Sequence, residues 1–225
     1  MNQATLSPFI SYPKQAVFGR VLPKNKIYEH SGATSAIREM FVRQVEQIVW
    51  KFKLAPETIN LASKPGVPEL QVFAIQLKAP ALNHEVLRCI DGAVQFPIIF
   101  ELTFEGKTQV VAAFKRPSES DSNRWVVSEY FSTQWMPNDG VRMAMPLALD
   151  LGVLYEQLLQ RLIPLPIRQK ETLTELVSRV EHLTLKENEV QKIISKLAKE
   201  KQFNRKVEIN AQLRAIRQEL ENLTN

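Results

Sequence analysis

Four residues near the middle of the chain have types suited to phosphodiester chemistry. Gln76-Leu77-Lys78 closes an apolar run, and Glu57 and Glu69 precede it. In a metal-dependent nuclease, an upstream acid and a strand carboxylate would hold Mg²⁺. The lysine would then stabilise charge developing on the phosphate. The fit is partial, because glutamine is a weaker ligand than carboxylate and no aspartate lies between Leu54 and Ile90. The structural alternative makes Lys78 a strand-end residue reaching water and puts Gln76 on a sheet face. A second cluster, Lys196, Lys199, Lys201, Arg205 and Lys206 with Phe203 among them, suits a different chemistry. Its cations could neutralise phosphates of DNA or RNA in a salt-sensitive way. Phe203 could stack on an exposed base. The competing account is a solvated helix face on which Glu200 and Glu208 offset part of the charge. Lys14, Arg20, Lys24 and Lys26 form a weaker candidate of the same kind.

Other chemistries are disfavoured by counting. The three histidines (His30, His84, His182) and the single cysteine, Cys89, lie far apart, so no zinc-ligand spacing exists among them. No glycine-rich phosphate loop and no Gly-x-Ser-x-Gly elbow occurs. The aspartates are Asp91, Asp121, Asp139 and Asp150, too scattered to build a Mg²⁺ site on their own. No cofactor is expected. Trp50, Trp125 and Trp135 could line a pocket, but such residues more often fill a core.

The 225 residues allow one sizeable domain plus an appendage. With 44% hydrophobic and 24% charged residues the chain reads as folded rather than disordered. A net charge of +5 permits contact with nucleic acid without requiring it. The single cysteine suits a reducing compartment. Met1–Tyr12 lacks the pattern of a secretory signal, and no stretch has the length and apolarity of a membrane span. A cytoplasmic location is expected.

The elements that would position these residues follow from periodicity. Residues 1–33 read as an irregular lead-in with a short strand at Ala16–Val21. Residues 34–54 read as a helix capped by Thr34 or Ser35, because Ile37, Phe41, Val45, Ile48 and Phe52 recur at helical spacing. Residues 57–63 suit a short strand. Glu69–Lys78, apolar on both faces through its middle, predicts a central strand. Asn83–Val94 predicts a second helix. Phe96–Phe104 and Thr108–Phe114 predict a hairpin across Glu105-Gly106-Lys107. Arg124–Trp135 reads as a strand after a polar loop at Pro117–Asn123. Met136–Pro146 reads as a loop, and Leu147–Ile163 as a third helix ended by Pro164 and Pro166. The sum is an α/β fold (an α+β mixed sheet of about five strands, flanked by helices) over residues 1–166.

Residues 167–225 contain no glycine or proline. Leu173, Leu176, Val180, Leu183, Val190, Ile194 and Leu197 keep a 3–4 spacing. Ile209, Leu213, Ile216, Leu220 and Leu223 resume it in a shifted phase. The break at Lys199–Lys206 fits two antiparallel helices with Asn204 near the turn, or one long helix with a slipped seam. Either gives a coiled-coil-like arm. Its apolar seam is expected to dock a partner protein or a second copy, since an isolated helix pair buries little surface; the competing account is a hairpin folded back on its own core domain.

Three segments, Phe41–Asn60, Glu69–Lys78 and the tail Lys199–Arg214, resemble the bacterial domain of unknown function 4391 family. The resemblance covers nearly the whole chain and is most specific in the tail. It supplies no catalytic residues. Members of that family tend to be encoded beside helicases and DNA methyltransferases in clusters resembling restriction or antiviral-defence systems. The resemblance therefore implies a helper protein in such a system, read here as a non-catalytic accessory or scaffold subunit that docks a helicase or methyltransferase subunit, with DNA a candidate ligand of the basic cluster. The alternatives are a degenerate Mg²⁺-dependent nuclease and a self-associating structural protein.

Overall fold

The computed structural model describes residues 9–118, 120–121 and 124–224. The expectation of an irregular start falls in part on residues 1–8, and the polar loop in part on 119 and 122–123, all outside the described residues. The chain divides into two units, one ending at Leu162 and the other beginning at Ile163.

The first unit is built on a mixed sheet. Its strands are β1 (Ile10–Ser11), β2 (Val17–Val21), β3 (Val45–Leu54), β4 (Leu70–Leu77), β5 (Ile98–Phe104), β6 (Lys107–Pro117), β7 (Trp125–Ser132), β8 (Met136–Pro137) and β9 (Met143–Ala144). The main sheet has the order β2-β3-β4-β5-β6-β7, with β8 on β6, while β1 and β9 form a separate parallel pair. Neighbours are antiparallel except β4 and β5. A parallel pair needs a crossover, and α4 (His84–Ala93) supplies it. Asn83 caps α4 by accepting from the Glu85 N–H at 2.9 Å.

One sheet face is covered by α1 (Lys24–Ser31), α2 (Ser35–Gln44) and α4. Ile27, Phe41, Val86, Leu87 and Ile90 from these helices join Ile48, Phe73, Ile75, Phe100 and Val111 of the strands in one buried cluster. The helix α5 (Leu151–Gln160) meets β6 from the other side. The registered pairing of β6 with β5 ends at Ile99↔Ala112. Beyond it, the Tyr155 hydroxyl accepts from Lys115 N–H and donates to the Ala113 carbonyl, both at 2.8 Å. Buried backbone groups need partners, and a side chain of α5 serves where the neighbouring strand has run out.

The sheet's central strand and the hairpin follow expectation. Glu105 and Gly106 both take positive φ, 44° and 75°. That is the two-residue turn whose twist matches a hairpin. Other segments differ. The helix expected over 34–54 ends at Gln44, and Val45–Leu54 is β3. Thr34 does cap it, accepting from Ile37 N–H. Val45, Ile48, Val49, Trp50 and Phe52 are types that fit a pleated sheet, and pairing with β2 and β4 on both sides decides the conformation. The strand expected at 57–63 is instead the short helix α3 (Pro56–Ile59). Proline suits a first helical position, and the Ala55 N–H donates to Thr58 Oγ1 at 2.9 Å. The lead-in contains α1, and the loop expected at Met136–Pro146 contributes β8 and β9. The helix expected from Leu147 starts at Leu151, because Asp150 caps it, accepting from Val153 N–H at 2.8 Å.

The second unit is a helical hairpin of α6 (Leu173–Lys199) and α7 (Phe203–Thr224). Thr172 opens α6 with a capping box: its hydroxyl accepts from Glu175 N–H, and Glu175 accepts from Thr172 N–H at 2.8 Å. The pairing is antiparallel: Lys186 of α6 bridges to Glu219 of α7 at 2.7 Å, and Val190 packs with Leu213 and Ile216. The turn is Glu200–Gln202, just ahead of the expected Asn204. Arg179, 7% exposed, ties the open end. It grips Glu171 through Nε and Nη2 at 2.7 and 2.8 Å, and donates to the carbonyls of Leu223 at 2.9 Å and Pro166 at 2.8 Å.

Candidate functional site

The nuclease quartet is not brought together. Glu69 stands before β4, whereas Gln76 and Lys78 stand at its far end, roughly 23 and 30 Å away at strand rise. Glu57 and Glu69 instead converge on Lys53 Nζ, at 2.7 and 3.4 Å. Gln76 is exposed opposite Gln47 of β3. Lys78 donates to the Val42 carbonyl at 2.8 Å and lies 3.7 Å from Glu46. Lys24 reaches the Val45 and Phe41 carbonyls of the same helix end at 2.5 and 3.3 Å. Two ammonium groups thus meet the carbonyl end of α2, which runs straight into β3 with an extended residue in place of a left-handed cap. Cations there satisfy orphan carbonyls and oppose the negative end of the helix dipole. Burial, and then the charge of Lys78, lowers the Lys24 pKa. No group of three or more His, Cys, Asp or Glu that could hold a metal lies among the described residues.

Two buried charge clusters escaped the sequence reading. Lys115, 1% exposed, donates to the carbonyls of Asp91 and Val94 and lies 3.4 Å from the Asp91 carboxylate, to which Tyr130 also donates. Burial drives Asp91 up and Lys115 down, each opposed by the other's charge. Glu101 is gripped by Lys51 at 2.7 Å and by Arg142 at 2.8 Å. Burial pushes its carboxyl up, but the two cations outweigh it and hold it low. Arg142 also donates to the Ile10 carbonyl, which ties β1 to the sheet. In both clusters each cation meets a carboxylate and, for Lys115 and Arg142, a backbone carbonyl, so the pairs tie separate elements together. The available signal was a lone charge inside an apolar strand: Lys115 after Val110–Phe114, and Glu101 after Ile98–Phe100.

The hairpin tip is built differently. Lys196, Lys199, Lys201, Arg205 and Lys206 are all exposed, and the fold gathers them around the three-residue turn. Lys192 joins them, one helical turn before Lys196. Spacings of four and three put Lys192, Lys196 and Lys199 on one face of α6. They line a shallow groove of 510 Å³ together with Gln191 and Ser195. Between Gln191 and Val207 the chain carries six cations and one acid, Glu200. The Glu200 carboxylate accepts from the N–H groups of Lys201 and Gln202 at 2.8 and 2.9 Å, and these bonds hold its pKa low. None of the six cations forms a salt bridge among the described residues, unlike Lys186 farther down the rod. Phe203 is 78% exposed at the start of α7, and Val207, one turn on, is 50% exposed. The first turn of α7 contains no acid.

The expected docking seam is placed otherwise. Leu173, Leu176, Val180, Val190, Ile209, Leu213 and Ile216 are buried, and Leu183, Leu197 and Leu220 are half-buried. Only Ile194 of the seam is exposed. Trp50 packs on the core cluster near Phe18 and Phe73.

A family model described as Domain of unknown function (DUF4391) matches residues 10–220. The chain belongs to that family. No curated protein and no solved structure matches it. The match of this DUF4391 protein runs from β1 into α7, so the cationic tip lies inside the stretch that defines membership. No helix of the described residues is long and apolar enough to cross a membrane.

Proposed function

We propose that this DUF4391 protein is a non-catalytic accessory subunit of a defence-type helicase–methyltransferase system, with the tip of its helical hairpin as the contact for nucleic acid. The accessory role is drawn from family membership, and the observation that supports the nucleic-acid contact is the tip, where six solvent-facing cations without salt-bridge partners among the described residues surround an exposed phenylalanine. Isolated charges on a rod cost little. A cluster of like charges repels itself and is stabilised by an anionic partner that spreads over it. The seam is filled within the hairpin, so a docking helicase or methyltransferase subunit meets outward surfaces, where Leu185 and Ile194 are exposed.

Purification of tagged full-length protein from its native host tests this. One bait is the natural chain. The other carries Lys192, Lys196, Lys199, Lys201, Arg205 and Lys206 all changed to Gln. A helicase or DNA methyltransferase subunit is expected with both baits, and nuclease-sensitive nucleic acid with the natural chain alone. Recovery of neither subunit type with either bait overturns the accessory role.

A further inference from the structure

We infer that the hairpin tip takes single-stranded rather than duplex nucleic acid, with Phe203 as a stacking platform for an unpaired base. The inference rests on the nucleic-acid reading of the tip and adds the state of the strand.

Width argues first. Each α-helix with its side chains is ~10–12 Å across, and packed helices lie ~8–10 Å apart. The paired tip therefore presents a face of roughly 18–22 Å, wider than the ~12 Å major groove that admits a single helix. The tip cannot enter a duplex as a recognition helix does. It can only rest on phosphates or meet bases that have left the stack.

Phe203 argues second. The residue is 78% exposed at the apex, and Val207 beside it is 50% exposed on the same helix face. A duplex hides the faces of its bases and offers this apolar pair nothing to cover it. An unpaired base offers a planar face of matching size, and such stacking tolerates any base.

The charges argue third, because they surround the ring. Lys201 lies two residues before Phe203, and Arg205 and Lys206 lie two and three after it. Lys199, Lys196 and Lys192 continue as a row down α6 with rises of ~4.5 and ~6 Å. The first turn of α7 contains no acid of its own, while Glu200 just ahead of it accepts from the Lys201 and Gln202 N–H groups. A strand whose base stacks on Phe203 thus has cations on both sides for its flanking phosphates. The groove of Gln191, Lys192, Ser195, Lys196 and Lys199 gives it a path along α6.

The test uses the full chain and two probes, a fluorescein-labelled oligo-dT of 20 nucleotides and a 20-base-pair duplex, in anisotropy titrations at fixed salt. The single strand is expected to bind at least tenfold tighter than the duplex. Phe203→Ala is expected to weaken single-strand binding about tenfold and to leave duplex binding unchanged, while Phe203→Trp restores it. Circular dichroism of each variant reports that the hairpin is intact. Equal affinities for the two probes, or a Phe203→Ala effect that is absent or the same on both, overturns the stacking inference and leaves the nucleic-acid reading standing. No binding of either probe overturns both.

Discussion

One guanidinium holds the open end of the hairpin. Arg179 joins Glu171, the Pro166 carbonyl and the last turn of α7 through hydrogen bonds of 2.7 to 2.9 Å. Removing one member of a buried ion pair leaves the other uncompensated. Arg179→Ala is therefore expected to destabilise the hairpin by about 3–5 kcal/mol, read as faster hydrogen exchange of the α7 amides. The same pair sets a pH dependence. Hydrogen bonding from Arg179 holds the Glu171 carboxyl at about 2, against ~4.3 in an unfolded chain. A depressed folded-state pKa means the stabilisation is complete above the unfolded value and is lost as pH falls toward the folded one. Helical circular dichroism of the natural chain should show a loss between about pH 4 and pH 2, and Arg179→Ala should lack that step. In the first unit, Tyr155→Phe leaves the Lys115 N–H and Ala113 carbonyl without the hydroxyl that serves both. It is expected to cost about 1–3 kcal/mol in denaturant titration, the penalty of orphaning a buried polar group. These residues could not be read from the sequence with any role. Lys115 and Asp91 are separated by 24 positions, and Arg179 and Leu223 by 44. A local pattern flags a charge in an apolar run but does not name its partner.

At the scale of elements, β4, the β5–β6 hairpin, α4 and the α6–α7 seam were legible because each carries its own signal. These signals are a continuous apolar run, a turn compatible with positive φ, an Asn cap and a 3–4 repeat. The junction of α2 and β3 was not legible. Ile37, Phe41, Val45, Ile48 and Phe52 satisfy a helical period right through Gln44, and only pairing with β2 and β4 shows where the helix stops. The same junction explains Lys78. Its place at the strand end suggested chemistry, yet its ammonium sits on the Val42 carbonyl with Lys24 close by on the same helix end. Lys78→Met is accordingly expected to lower stability by under about 1 kcal/mol, the range of a partly exposed helix-end cation. Thermal melts would show a shift of a few degrees at most, and DNA affinity should be unchanged. A loss of metal-dependent DNA cleavage in that variant would instead support the nuclease alternative.

For the molecule as a whole, charge is spent in two ways. In the first unit, cations such as Lys115, Lys51 and Arg142 face carboxylates or carbonyls inside the fold. At the hairpin tip six cations face water, and Glu200 among them accepts from the backbone N–H groups of Lys201 and Gln202. That contrast is the ground for proposing the tip as the contact for an anionic partner. The proposed contact was half legible: five of the six cations and Phe203 stand together in the sequence, and the helical spacing of α6 adds Lys192 on the face of Lys196 and Lys199. The most direct measurement is the salt dependence of oligo-dT binding by the full-length protein and by the variant with all six cations changed to Gln. Six phosphate contacts on a single strand predict a slope of log affinity against log salt of about −4, since each released counterion contributes about −0.7. The variant should fall close to zero slope. An unchanged slope in the variant would contradict the account and move the contact for nucleic acid away from the hairpin.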